Sequence, residues 1–255
     1  MAASESILRS CVHCGFCTAT CPTYLLLGDE LDNPRGRIYQ IQDMLESGLP
    51  APKTVVKHID RCLSCLSCMT TCPSGVHYQH LVDHGRAYIN TTFRRPFFDR
   101  AFRSILSWIL PYPDRFRAAL VLAWLLRPFG SLVPGRVGAM LRLVPKRIPP
   151  RSPIEGSKVH KTEGAAFKRV ALLAGCAQQV LSPSINESSI RLLNRHGVEV
   201  VTAKGAGCCG ALVHHMGQAE EGHEAARRNV DAWTREIEAD GLDAIIINAS
   251  GCGTS

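Results

Sequence analysis

The spacing of apolar residues predicts that the first part of the chain is helical. Ile38, Ile41 and Leu45 fall on one helical face, and Gly48 follows as a C-terminal stop. Residues 76–89 show a second helical pattern. The N-terminal part is therefore expected to consist of small helices and loops.

The middle of the chain combines bulky apolar residues with Arg and Pro. From about residue 91 to 162 these residues predict short amphipathic helices, and residues 149–164 look like a linker. The longest apolar run, residues 118–126, is nine residues long, far from the roughly 18 needed to span a bilayer. We expect a soluble or peripheral protein that does not cross the membrane.

The last third alternates strand and helix patterns. The pattern predicts strands at 169–174, 198–201 and 242–249 and helices at 184–196 and 218–239. This order implies parallel strands joined by right-handed crossovers. The run Ala-Ile-Ile-Ile at 244–247 suits a strand buried on both faces. Because the sequence stops soon after this strand, we expect an incomplete domain or an unusual short form.

The cysteine content indicates that the chain binds metal. The chain has 255 residues, with 45% hydrophobic and 20% charged residues, which is ordinary for a globular protein, but it also has 12 cysteines. The N-terminus is polar and shows no secretory signal. In the reducing compartment that this implies, clustered cysteines indicate metal ligands rather than disulfides.

Eight cysteines form two runs with the C-x2-C-x2-C-x3-C-P spacing of bacterial ferredoxins. In such pairs the fourth thiolate of each run ligates the other cluster. We therefore expect two [4Fe–4S] clusters, one held by Cys11, Cys14, Cys17 and Cys72, the other by Cys62, Cys65, Cys68 and Cys21. Zinc is the alternative, but zinc sites use C-x2-C pairs set further apart. His13 and His77 are surplus to the four thiolates that each cluster needs.

The other four cysteines each follow a predicted strand and have glycine neighbours. They are Cys176, Cys208, Cys209 and Cys252. The carboxyl ends of parallel strands share one sheet edge, so these thiols should converge. Three interpretations stay open: an additional metal or cluster site, a redox-active thiol site, or buried cysteines in glycine-rich turns. His214 and His215 either join this site or pack at a helix start.

Net charge is +7, and it is concentrated in the middle of the chain. Residues 94–151 hold 12 Lys or Arg against two Asp. This basic and apolar segment fits an anionic lipid surface or an acidic protein face. The alternative is a structural role, with the arginines in solvent. We expect no nucleic-acid partner.

Three stretches, residues 11–48, 58–78 and 205–233, closely resemble the iron–sulfur subunits of glycolate oxidases. The third is similar to the cysteine-rich CCG domain of heterodisulfide reductases, lactate-utilisation proteins and anaerobic glycerol-3-phosphate dehydrogenases. The resemblance implies an α+β multidomain fold. Its parts are a mostly helical, ferredoxin-like two-cluster domain at 1–92, a basic helical connector at 93–167, and an α/β parallel-sheet CCG domain, truncated and in one copy, at 168–255.

The resemblance also implies a division of labour. Flavoprotein subunits would oxidise glycolate to glyoxylate, and this subunit, not catalytic alone, would pass electrons to a membrane quinone. The expected location is the cytoplasm, peripheral on the inner face of the cell membrane. The alternatives are the same electron role beside a lactate or glycerol-3-phosphate dehydrogenase, and a heterodisulfide-reductase-like thiol–disulfide enzyme.

Overall fold

The computed structural model describes residues 2–254, which form two compact units. The first unit comprises residues 2–100 with Val213–Glu220, and the second comprises Ala101–Leu212 with residues 221–254. The α-helices are α1 (Ala2–Arg9), α2 (Pro22–Leu27), α3 (Pro34–Ser47), α4 (Lys53–Asp60), α5 (Ser67–Thr71), α6 (Tyr78–Thr92), α7 (Phe97–Ile109), α8 (Pro113–Leu126), α9 (Gly135–Leu143), α10 (Ala177–Leu181), α11 (Ser184–Arg195), α12 (Ala211–His215), α13 (Ala219–Ala239) and α14 (Ser250–Gly253). The strands are β1 (Lys158–His160), β2 (Lys168–Leu172), β3 (Val198–Thr202) and β4 (Ala244–Ile246). Short 3-10 turns lie at Phe16–Thr18, Glu30–Asp32 and Arg127–Ser131.

Helix α3 organises the first unit. It begins at Pro34 after Asn33, whose side chain accepts a hydrogen bond from the Gly36 amide, and Gly48 ends it in the left-handed conformation. The predicted apolar face is buried in a core with α1, α4 and α6. Its fully buried members include Ile41, Ile59, Leu81 and Ile89. The helix predicted at 76–89 is α6, which starts two residues later.

Helices α8 and α9 expose much of their apolar surface. Leu122 is 60% exposed and Leu143 is 83% exposed. Among residues 2–254, no single helix is both long and apolar enough to cross a membrane. One helix pair, Pro113–Ser131 with Gly135–Leu143, reaches the required length and composition jointly, but it is bent by 116°.

The sheet of the second unit has the strand order β1-β3-β2-β4. Strand β2 pairs in parallel with β3 and β4, as the alternating pattern predicts, with Val170 opposite Val200. Helix α11 packs against β3, and its Ile190 joins Val170, Leu172 and Val200 in the core. The parallel crossover arrangement is therefore the framework of this unit.

Two predictions about this sheet are wrong. Lys158–His160 lies in the expected linker but forms β1, which pairs antiparallel with β3, so the sheet is mixed. Strand β4 is three residues long and half-exposed rather than buried on both faces: Ile245 is 40% exposed, and so is Ile247, the residue after the strand. Among the described strands it pairs only with β2, so an apolar run lies at a sheet edge.

Candidate metal centres

The two ferredoxin-type cysteine runs fold into loops of the same backbone shape. Two residues after the first cysteine of each run, His13 and Ser64 have φ of 53° and 51°. One residue after the second cysteine, Gly15 and Leu66 have φ of 84° and 58°. Within residues 2–254, His13, Ser64 and Leu66 are the non-glycine residues with positive φ. Such residues cost on the order of 1–3 kcal/mol each and concentrate at functional sites.

The fourth cysteine of each run also has a matching conformation. Cys21 has φ −84° and ψ 111° just before α2, and Cys72 has φ −77° and ψ 113° just after α5. Pro22 occupies the first turn of α2, where its missing N–H costs nothing. The sequence repeat is therefore also a structural repeat.

Three cysteines of the first run line a cavity together with two cysteines of the second run. The cavity lining includes Cys11, Cys14, Cys17, Cys72 and Cys68. The apolar side chains around it are Val12, Phe16, Ile38 and Val76. Four of these cysteines are the set expected to hold the first cluster.

The remaining thiols surround Cys68. Burial and the charges of four neighbouring thiols together raise the pKa of the Cys68 thiol to about 12. The four neighbours are Cys62, Cys17, Cys65 and Cys21. Three of them are the partners expected for Cys68 in the second cluster, and Cys17 belongs to the first set.

This donor set fits iron–sulfur clusters. All eight cysteines are free thiols, and soft thiolate sulfur is the ligand that these clusters use. The cavity lining contains no carboxylate. The ring of His13 stacks on Tyr39 with the centroids 4.0 Å apart. This stacking supports a packing role for that histidine.

Several donors point at the ligand sulfurs. The Val76 amide donates to Cys72 Sγ at 3.5 Å, and the Tyr78 hydroxyl donates to Cys62 Sγ at 3.6 Å. Tyr78 is 3% exposed, and burial raises its pKa well above the usual value, so its hydroxyl stays protonated as a donor. Hydrogen bonds to the sulfurs are among the factors that set cluster potentials.

The second unit brings the other four cysteines together. Cys208 Sγ lies 3.5 Å from Cys176 Sγ, and Cys209 is hydrogen-bonded to both Cys208 and Cys252. Hydrogen bonds from Cys208 and Cys252 lower the pKa of Cys209, and the bond from Cys208 also lowers the pKa of Cys176. The donors Cys208 and Cys252 have raised pKa values for the same reason.

A buried asparagine holds the Gly207–Cys208 turn. Asn229 of α13 is 2% exposed. Its Oδ1 accepts from the Gly207 amide at 2.8 Å, and its Nδ2 donates to the Cys208 carbonyl at 3.0 Å. One side chain thus satisfies a donor and an acceptor of adjacent residues beside the thiols.

His214 and His215 contact a carboxylate of the first unit, to which both belong. His215 Nδ1 lies 3.0 Å from Asp83 Oδ1, and His214 Nε2 lies 3.5 Å from Asp83 Oδ2. These contacts favour the packing interpretation of the two histidines over a role as metal ligands.

Sequence reasoning missed a buried ionic group beside the second cysteine run. Asp32 is completely buried, and its carboxylate contacts Arg37, Arg61 and His58. Asp29, Asp32 and His58 are close enough to hold a metal ion, but the two guanidiniums on Asp32 disfavour a cation there. The available signal was Arg37 itself, a charge next to the apolar face of α3 that Ile38 and Ile41 mark.

Comparison with known proteins defines the class. Residues 7–76 match the 4Fe-4S dicluster domain family, and residues 170–255 match the cysteine-rich domain family. The chain is thus an iron–sulfur protein in which a ferredoxin-type dicluster domain precedes a cysteine-rich domain.

The particular relatives are more specific. The chain is 48% identical over 98% of its length to the glycolate oxidase iron-sulfur subunit of Escherichia coli strain K12. It is 32% identical over 98% of its length to the probable glycolate oxidase iron-sulfur subunit of Bacillus subtilis strain 168. It spans 58% of the length of each. The resemblance to glycolate oxidase iron–sulfur subunits is therefore confirmed over nearly the whole chain.

A more distant relative aligns with most of the chain. It belongs to the dihydromethanophenazine:CoB–CoM heterodisulfide reductase of Methanosarcina acetivorans, and it is 23% identical over 96% of this chain and 56% of its own length. No solved structure matches the chain.

Proposed function

We propose that the chain is the electron-transfer subunit of a glycolate-oxidising complex. The proposal rests mainly on one observation: two loops of the same backbone shape carry eight free thiols, and five of these thiols line one cavity. Bound there, two [4Fe–4S] clusters supply one-electron transfer. The identity to glycolate oxidase iron–sulfur subunits supports glycolate as the electron source.

The ligand sets are cross-connected between the runs. Cys11, Cys14, Cys17 and Cys72 hold one cluster, and Cys62, Cys65, Cys68 and Cys21 hold the other. The shared cavity supports the placement of Cys72 with the first run. The Val76 amide donates a hydrogen bond to Cys72 of the first set, and the Tyr78 hydroxyl donates one to Cys62 of the second set.

The partners are flavoprotein subunits that oxidise glycolate to glyoxylate, and the acceptor is a membrane quinone. The chain is not catalytic alone and works in the cytoplasm, peripheral on the inner face of the membrane. The basic segment 94–151 supports the peripheral contact, since it combines 12 cationic residues with exposed apolar side chains.

The four cysteines of the second unit form an additional metal or cluster site in this proposal. Four neighbouring thiols that are hydrogen-bonded to one another provide soft sulfur donors for such a site. The 3.5 Å separation of Cys176 and Cys208 also favours a second candidate, a thiol–disulfide enzyme.

The test uses the chain co-expressed with its flavoproteins and purified without oxygen. We expect about eight iron atoms in the ferredoxin-type unit, as two four-iron clusters imply, and reduction of the cluster signals by glycolate, but not by lactate or glycerol 3-phosphate. The isolated chain should show no glycolate turnover. Full zinc occupancy in place of iron, or turnover by the chain alone, contradicts the proposal. Disulfide turnover by the isolated chain would favour the second candidate.

A further inference from the structure

Two arginines in the first turn of α3 lie near different thiol sets. Arg35 lines the cavity that contains the first-run thiols, and Arg37 Nη1 lies 3.9 Å from Cys21 Sγ. Gly36 separates them, and a Cβ there would lie 1.9 Å from the Glu30 carbonyl oxygen. The first turn of α3 is thus pressed against the 3-10 turn at Glu30–Asp32, which fixes where both arginines start.

Arg37 is a buried, fully anchored charge, only 1% exposed. Its Nε donates to the His58 carbonyl at 2.8 Å, and its Nη2 donates to Thr23 Oγ1 at 3.1 Å. The charges of the Cys62 and Cys21 thiolates both act on this guanidinium. These two cysteines belong to the second ligand set.

The acid beside Arg37 does not neutralise it. Asp32 Oδ1 lies 3.3 Å from Arg37 Nη2, but Asp32 Oδ2 lies 2.6 Å from Arg61 Nη1. One carboxylate therefore faces two guanidiniums, which leaves one net positive charge when His58 is neutral. Because Arg37 is buried, its field is weakly screened at the nearby sulfurs.

Arg35 provides the contrast. Its side chain is 32% exposed, and its Nη2 lies 2.8 Å from Glu30 Oε2 in a one-to-one ion pair. Its Nη1 donates to the His13 carbonyl at 3.4 Å. Solvent and Glu30 both weaken the field of Arg35 at the first ligand set.

We propose that Arg37 raises the reduction potential of the cluster held by Cys62, Cys65, Cys68 and Cys21 above that of its neighbour. This inference rests on the proposed function. Reduction adds one electron, and hence one negative charge, to that cluster, while a reduced flavin or another one-electron donor is oxidised. The buried guanidinium stabilises the added charge without a proton transfer. In the half-reduced protein the electron therefore rests on this second cluster, and Arg37 acts as a positioning residue for charge.

The experiment compares Arg37→Gln and Arg37→Lys with the matched control Arg35→Gln, in the full chain purified without oxygen. Iron analysis gives cluster content, and a redox titration followed by electron paramagnetic resonance gives the reduced fraction of each cluster. Cys21→Ser and Cys72→Ser assign the two signals. We expect Arg37→Gln to lower the reduced-to-oxidised ratio of the second cluster at least tenfold at a fixed potential, which is about 59 mV for one electron.

The two other variants separate charge from hydrogen bonding. Arg37→Lys retains the charge and should keep the reduced-to-oxidised ratio of the second cluster within about threefold of wild type. Arg35→Gln should change the reduced-to-oxidised ratio of either cluster by less than about threefold. The inference is overturned if Arg37→Gln keeps both clusters and leaves the reduced-to-oxidised ratio of the second cluster unchanged. It is also overturned if the ratios of both clusters change equally. If Arg37→Gln loses iron, Arg37→Lys decides: a wild-type ratio supports the role of charge, and a tenfold fall overturns it. A wild-type chain without four-iron clusters overturns the proposed function as well.

Discussion

His215 Nδ1 lies 3.0 Å from Asp83 Oδ1, although 132 residues separate them in the chain. The carboxylate of Asp83 is 9% exposed and also faces His214 and the guanidinium of Arg86. Arg86 in turn donates to the Cys62 carbonyl at 2.6 Å and to Ser64 Oγ. One acid thus connects the segment Val213–Glu220 to the loop that carries the second cysteine run, all within the first unit.

This contact should be strongest in mildly acidic solution. Although burial raises the pKa of Asp83, hydrogen bonds from His214 and His215 outweigh it and hold that pKa well below the usual 3.8. The hydrogen bond to Asp83 raises the pKa of His214 above 6.5, although Arg86 opposes this. The aspartate contribution is present above pH 3.8 and is lost as pH falls through the lowered pKa. The histidine contribution is complete below pH 6.5 and is lost as pH rises through the raised pKa.

The free energy of opening of Val213–Glu220 should therefore be larger at about pH 5.5 than at about pH 8. Hydrogen exchange, corrected for intrinsic rates, measures it. Asp83→Asn should lower this free energy by about 1–3 kcal/mol at the lower pH, because it removes a charged hydrogen-bond partner. His214→Gln should flatten the dependence on pH. If the opening free energy of both variants kept the wild-type dependence on pH, its attribution to Asp83 and His214 would be contradicted.

A side chain at Gly36 should destabilise the first unit. The Cβ of Gly36→Ala would lie 1.9 Å from the Glu30 carbonyl oxygen and 3.1 Å from the Leu31 Cα, so backbone must move. We expect a loss of about 3 kcal/mol in the free energy of unfolding, at the upper end for overpacking. Denaturant titration measures the loss. Gly164→Ala is the control, since its Cβ meets no atom within 4 Å, and equal effects of the two changes would refute this explanation.

Particular residues show what the sequence could predict. The α3 face of Ile38, Ile41 and Leu45 is local, because helical periodicity and a following glycine determine it. Cysteine spacing is also local, since each run of four cysteines lies within eleven consecutive residues. By contrast, Arg37 contacts Asp32 and the His58 carbonyl, and nothing in a linear pattern shows that these groups meet. Sequence alone therefore predicts the thiols but not the charge beside them.

The existence of β1 and the exposure of β4 differ from the predictions for the same reason. Lys158–His160 has no strong alternation of its own and becomes a strand because β3 offers an open edge. The apolar run at 244–247 has the composition of a central strand, but its burial depends on neighbours that periodicity does not encode.

Loss of the two hydrogen bonds from the Asn229 side chain, called here the Asn229 clamp, should loosen the Cys208–Cys209 turn. Asn229→Leu leaves the Gly207 amide and the Cys208 carbonyl without their present partner, at a cost of about 1–3 kcal/mol for each buried polar group left unsatisfied. Thiol labelling by maleimide should become faster at Cys208 and Cys209, as read by mass spectrometry. Asn194→Leu, in α11, is the control at a more exposed asparagine, and labelling rates equal to wild type in Asn229→Leu would show that the clamp does not hold the turn.

The basic middle segment should bind anionic membranes through its exposed leucines. Leu122, 60% exposed on α8, is expected to insert its side chain among lipids while nearby arginines contact the headgroups. Sedimentation with vesicles containing anionic lipid should therefore show binding that weakens at high salt. Leu122→Ser should reduce the bound fraction several-fold. Leu192→Ser is the matched control, because this leucine is 57% exposed on α11, outside the segment.

Arginine substitutions in the same segment must be chosen so that they do not disturb the fold. Arg117 donates to the Pro149 carbonyl at 2.7 Å and pairs with Glu155 at 2.9 Å, so Arg117→Gln would disturb the fold itself. Arg127→Gln tests the surface more cleanly than Arg115→Gln, because Arg115 donates to the Trp108 carbonyl at 3.1 Å and lies over the Trp108 and Tyr112 rings. Each lost cation near an anionic membrane should weaken binding by about 1 kcal/mol. Vesicle binding that is insensitive to salt, to these changes and to Leu122→Ser would leave the segment a purely structural role, with its arginines in solvent.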